Sequence, residues 1–110
     1  MNAHDLLNTI PAERSYGFAP NRSRHAVDFF CDAPEARGVF ITGDFNHWQA
    51  DDIPTHRAAH GRWMAHLELL DGHRRYLFLV DGKPTLDRRA NGKVRQRSPW
   101  YDAASMIAVS

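Results

Sequence analysis

The run RWMAHLELL, residues 62–70, alternates apolar and polar side chains, ends at a DG pair, and is followed by HRRYLFLV and a second DG pair. A period of two belongs to a β-strand, not a helix. The first run turns Trp63, Ala65, Leu67 and Leu69 inward and Met64, His66 and Glu68 outward. The second puts Arg74, Tyr76, Phe78 and Val80 on one face, with Arg75, Leu77 and Leu79 on the other. Gly72 and Gly82 accept positive φ at no steric cost, so each DG marks a tight turn, and HGRW at 60–63 does the same. HAVDFFCD adds a face of Val27, Phe29 and Cys31, RGVFITG pairs Val39 with Ile41, and Ser105 to Val109 reads as a last strand. Turn signals recur about every 8–12 residues, which predicts an all-β sandwich of about seven strands. Two facing sheets would close a single core.

A chain of 110 residues suits one domain with one modest core. Residues 1–23 read as a polar extension, and 24–110 as the sandwich. Within the extension, HDLLNTI would make one or two helical turns stopped by Pro11, and YGFAPNRS reads as loop. The net charge of +1 supplies no global field toward nucleic acid or a membrane. Seven histidines would add positive charge below about pH 6.5. Cys31 is the single cysteine, so no internal disulfide forms, and a reducing, cytoplasmic location is expected. No apolar run approaches the roughly 18 residues of a membrane span. The N-terminus shows no basic region or small-residue cleavage site, so no signal peptide is expected.

Catalytic signals are sparse. Nucleophile-elbow, phosphate-loop, H-E-x-x-H and C-x-x-C patterns are all missing. Cys31 falls on an apolar strand face and reads as a core thiol. His56 and His60 are four apart but in a loop, and His47, His66 and His73 belong to separate elements, so no metal site is expected. Asp51 and Asp52 adjoin in sequence, whereas acid–base work needs two groups across a substrate. The expectation is no enzyme and no cofactor. RRANGKVRQR, residues 88–97, lies near Trp100 and Tyr101, a mixture that can bind single-stranded nucleic acid. A solvated hairpin loop is expected instead, since the chain carries no recognisable nucleic-acid module.

Three stretches remain: FITGDFNHW at 40–48, GRWMAHLEL at 61–69, and RYLFLVDGKPTLD at 75–87. In that order and spacing they resemble the glycogen-binding module attached to isoamylases and branching enzymes and found in the beta subunit of AMP-activated protein kinase. The matching positions are Gly43 to Trp48, Gly61 to Trp63, Tyr76 to Gly82, and Asp87. The likeness covers about Ala26 to Val109 and extends to small free-standing bacterial versions of the module. It implies an immunoglobulin-like sandwich of the early-set type and a binding face for α-1,4-linked glucan. It makes Trp48 the sugar platform, since the C–H face of a pyranose stacks on an indole while its hydroxyls need polar groups nearby. Asp44 and Asn46 then fix the turn through side-chain-to-backbone bonds, and Phe45 and Trp63 are core anchors.

The departures from the family pattern concern the sugar face. The Lys expected after the Tyr is Leu77, the second Trp is Pro84, and an Asn just before the last strand falls at about Ala104. Lys83 would supply a donor from the turn, and Trp100 or Tyr101 a second ring. The expected function is a non-catalytic α-glucan-binding module with a glycogen-metabolising enzyme as its second partner. The alternative is a protein-interaction or regulatory module that kept the sandwich and lost the sugar site. An exposed Leu77 and Leu79 would form the apolar patch such a partner needs.

Overall fold

A computed structural model describes residues 10–11, 23–95 and 102–110. Its strands are β1 (Ile10–Pro11), β2 (Arg24–Asp32), β3 (Val39–Gly43), β4 (Ile53–Pro54), β5 (His56–Arg57), β6 (Arg62–Leu70), β7 (Gly72–Val80), β8 (Lys83–Thr85), β9 (Gly92–Arg95) and β10 (Ala103–Val109). Single 3₁₀ turns follow β3 and precede β6. One sheet runs β1-β6-β2, with β5 also on β6, and the other runs β4-β3-β7-β10-β9, with β8 also on β7. Together they form an immunoglobulin-like β-sandwich. β1, β4 and β5 have two residues each, so among the described residues seven strands are of three residues or more.

Register follows the hydrophobic pattern, because a slip of one residue would turn every buried side chain to water. β2 and β6 pair antiparallel from Arg24↔Leu70 to Asp32↔Arg62, which sets Val27 beside Leu67, Phe29 beside Ala65 and Cys31 beside Trp63. In the other sheet Ile41 sits beside Phe78, and Val39 beside Val80. The aromatic centre of the core is Phe29 edge-on to Tyr76 at 4.8 Å, with Phe78 edge-on to Tyr76 at 6.0 Å. Trp63 is 7% exposed and its indole N–H donates to the Ala33 carbonyl at 2.8 Å.

The two DG pairs do different jobs. Asp71–Gly72 is a corner at which the chain leaves one sheet and enters the other. Arg74 clamps it, donating from Nε to the Leu70 carbonyl at 3.0 Å and from Nη2 to the Asp71 carbonyl at 2.8 Å. Asp81–Gly82 closes the β7–β8 hairpin with both residues left-handed, at φ 49° and 82°. The Asp81 carboxylate also accepts from the Arg37 and Gly38 N–H groups at 2.9 and 3.0 Å.

One expectation changes. The basic segment is not a solvated loop throughout. Arg88 and Arg89 reach across to Asp32 on β2 at 3.3 and 2.8 Å, and Gly92–Arg95 is strand β9. Positions 96 and 97 lie outside the described residues, as does the helical turn expected over 4–10, except for Ile10, which pairs parallel to β6 in β1.

Tyr76 ties the core to the segment after β8. It is 1% exposed, and its hydroxyl donates to the Asp87 carboxylate at 2.6 Å. Asp87 also accepts from the Arg89 N–H at 2.9 Å, while its own N–H donates to Ser105 Oγ at 2.8 Å. Burial, reinforced by this bond, holds the Tyr76 phenol protonated far above its usual range. Burial likewise raises the Cys31 thiol, helped by the Asp87 and Asp32 charges. Both raised values mean that the unfolded chain releases protons that the native chain keeps. Stability is therefore complete below the unfolded values, about 8.5 for Cys and 10 for Tyr, and falls as pH rises beyond them. Urea unfolding between pH 8 and 11 should show two successive losses. Tyr76→Phe should remove the second while lowering stability at pH 7 by about 1.5–3 kcal/mol. An unchanged alkaline limb in the variant would show that Tyr76 is not its source.

Candidate carbohydrate site

GDFNHW is a locked turn at the end of β3. Asn46 is 5% exposed. Its Oδ1 accepts from the Gly43 N–H at 2.9 Å and from Thr42 Oγ1 at 3.4 Å, and its Nδ2 donates to the Gln49 carbonyl at 3.3 Å. The Trp48 N–H closes the loop on the Gly43 carbonyl at 2.9 Å. Asp44 ties the turn to β7 by accepting from the Arg75 N–H at 3.2 Å. Phe45 is 3% exposed and lies 6.5 Å from the Phe29 ring. The turn therefore hangs on both sheets.

His47 and Trp48 are both left-handed, at φ 57° and 58°. For residues with a Cβ this costs roughly 1–2 kcal/mol each, so the surrounding bonds over-determine the conformation. The result is a half-buried indole whose backbone is fixed at the sheet rim. Sequence reasoning identified the turn-fixing roles of Asn46 and Asp44. It missed the consecutive left-handed residues, of which only His47 is a type enriched at positive φ.

Among the described residues, the other expected contacts lie on other parts of the larger sheet. Thr42, Leu77, Ala104 and Val94 form one cross-strand row on the sheet face opposite the core, with Phe40, Leu79 and Pro84 in the next row. Leu77 and Ala104 are each 0% exposed and Leu79 4%. Leu77 thus offers a sugar no surface, and the Leu77/Leu79 patch expected for a protein partner is closed. The reason lies in β7 itself, which is apolar on both faces between Tyr76 and Leu79. Ala104 lies within β10 and not before it, because the strand begins at Ala103. Lys83 is exposed but pairs with Val80, a residue packed against the core, so it leaves the sheet on the face opposite Leu77. It sits four residues along β7 from Tyr76, the partner of Gly43, about 13 Å away at strand rise. Trp100 and Tyr101 lie outside the described residues. Among the described residues no group of three His, Cys, Asp or Glu side chains is arranged to hold a metal ion. No helix there is long and apolar enough to cross a membrane.

The chain is thus an immunoglobulin-like sandwich with a half-buried Trp on a G-D-F-N-x-W turn at its rim, and comparison with known proteins places it in a class. The family model for carbohydrate-binding module 48, the isoamylase N-terminal domain, matches residues 15–100, and the chain belongs to that family. A stretch of 56 residues, 51% of the chain, is 39% identical to the 1,4-alpha-glucan branching enzyme GlgB of Deinococcus radiodurans. The chain spans 8% of that enzyme's length.

Gly43 gives the sharpest test of the turn. A Cβ there would stand 2.5 Å from the Arg75 carbonyl oxygen and 2.6 Å from the Phe45 ring. Gly43→Ala should cost about 1–3 kcal/mol by overpacking, a fall of roughly 4–8 °C in Tm per kcal/mol. The amide signals of His47 and Trp48 should move with it. A variant melting like the parent would mean that the turn is not held as tightly as its bonds imply.

Proposed function

We infer that the chain is a non-catalytic binding module for α-1,4-glucan, with Trp48 as its stacking platform. Family membership supports the ligand class. The observation that carries the residue is the locked, left-handed Trp48, an aromatic ring kept half-exposed against its own backbone preference. Strain held by a rigid frame is characteristic of binding sites, where it lowers the ordering needed on association. Trp100 and Tyr101 are the proposed second contact. Lys83 is a lesser one, since its register turns it from the Leu77 face. A cytoplasmic setting and a glycogen-metabolising enzyme as second partner complete the reading.

A second reading has its own support. The family's sugar-contacting Lys and Asn positions carry Leu77 and Ala104, each 0% exposed. That substitution favours a sandwich that serves proteins instead of sugars.

Titration with maltoheptaose and β-cyclodextrin separates the two, followed by Trp fluorescence and amide shifts together. The glucan reading expects saturable shifts centred on Trp48. Trp48→Ala should weaken binding at least tenfold while leaving Tm within a few degrees, since a half-exposed ring contributes less to folding than a core Trp, whose loss costs about 3–5 kcal/mol. An unaltered binding curve in the variant would remove Trp48 from the site. No shift at millimolar sugar would leave the protein-binding reading.

A further inference from the structure

The apolar face around Leu77 is closed, but the far edge of the same sheet is open. β9 ends the order β4-β3-β7-β10-β9, and among the described residues no strand pairs with its outer edge. In any strand, alternate residues direct N–H and C=O away from the neighbour, so such an edge can accept another strand. Lys93 and Arg95 are exposed, and Gly92 and Val94 half-exposed. Lys93 and Arg95 leave β9 on one face and Val94 on the other. Beside them lies a depression of about 290 Å³ lined by Leu86, Lys93, Val94, Arg95, Asp102 and Ala103.

The charges on this edge are uncommitted. Among the described residues neither Lys93 nor Arg95 forms an ion pair. The neighbouring arginines differ: Arg62, Arg88 and Arg89 all bond Asp32, at 3.3, 3.3 and 2.8 Å. Two copies joined edge to edge through β9 would crowd Lys93 and Arg95 against their own kind, and basic side chains on an edge strand oppose self-pairing. An acidic strand meets no such repulsion. Its backbone completes the open hydrogen bonds, and carboxylates on alternate residues meet Lys93 and Arg95.

We propose that β9 is a docking edge that takes an extended acidic segment of a partner protein as an added strand. The segment's carboxylates lie along Lys93 and Arg95, and its intervening apolar side chains lie beside Val94. The site is separate from Trp48 and does not depend on sugar binding.

The test uses the full chain and a capped heptapeptide alternating glutamate and valine. Amide shifts and slowed exchange should centre on Gly92–Arg95. A peptide N-methylated at alternate residues, which keeps its charge but cannot form the ladder, should bind at least tenfold more weakly. The double variant Lys93→Glu with Arg95→Glu should lose the acidic peptide at least tenfold and accept one alternating lysine and valine. Trp48→Ala should bind the acidic peptide unchanged, so failure of either site shows separately. Equal binding of the N-methylated peptide would overturn the proposal, because charge alone would then account for it. So would shifts centred on Arg62, Arg88 and Arg89. Shifts of Gly92–Arg95 on raising protein concentration alone would overturn it in favour of a second copy.

Discussion

β7 has no exposed side chain from Tyr76 to Leu79, each being at most 4% exposed. A strand buried on both faces must lie inside a sheet and be covered on each side. The rest of the molecule answers that requirement. β3 pairs along one edge of β7, while β10 and β8 share the other. The smaller sheet covers Tyr76 and Phe78. The same strand anchors the Trp48 turn through the Arg75 N–H and the strap after β8 through the Tyr76 hydroxyl. Core, turn and strap thus share one support.

That arrangement decides which surface is available for function. The sheet face opposite the core is apolar from Phe40 to Val94 and is withdrawn from ligand at Leu77 and Ala104. Among the described residues Trp48 at the rim is half-buried, and Lys93 and Arg95 on β9 are exposed. Family membership speaks to carbohydrate binding in general and names neither surface.

Much of the sandwich was legible in the sequence because period two reports which side chains share a face. Trp63, Ala65, Leu67, Leu69, Phe29 and Phe78 all lie in the core as their alternation required. Alternation does not say whether the second face is wet. Leu77 and Leu79 read equally well as an exposed patch or a covered one, and only tertiary packing decides. Lys83 illustrates a different limit. Its distance in sequence from Leu77 is short, but the Asp81–Gly82 hairpin reverses the chain and fixes a register that sends the two side chains to opposite faces. For the Trp48 turn, residue types revealed the bonding partners, whereas the left-handed backbone at His47 and Trp48 is set by the tertiary frame and was not legible. The basic segment was obscured for a similar reason, since its fate turned on Asp32, more than fifty positions earlier.

The β2–β6 ladder joins residues that are thirty to forty-six positions apart. No local turn can align them, so the chain must close a long loop before any of that pairing is rewarded, and entropy opposes the step until it is nearly complete. The β7–β8 hairpin and the corner at Asp71–Gly72 close over a few residues only. The two turns should therefore order first, with the long-range ladders of β2, β3 and β10 following. Each of those ladders joins residues far apart in sequence, so the slow step of folding lies in long-range pairing and not in either turn.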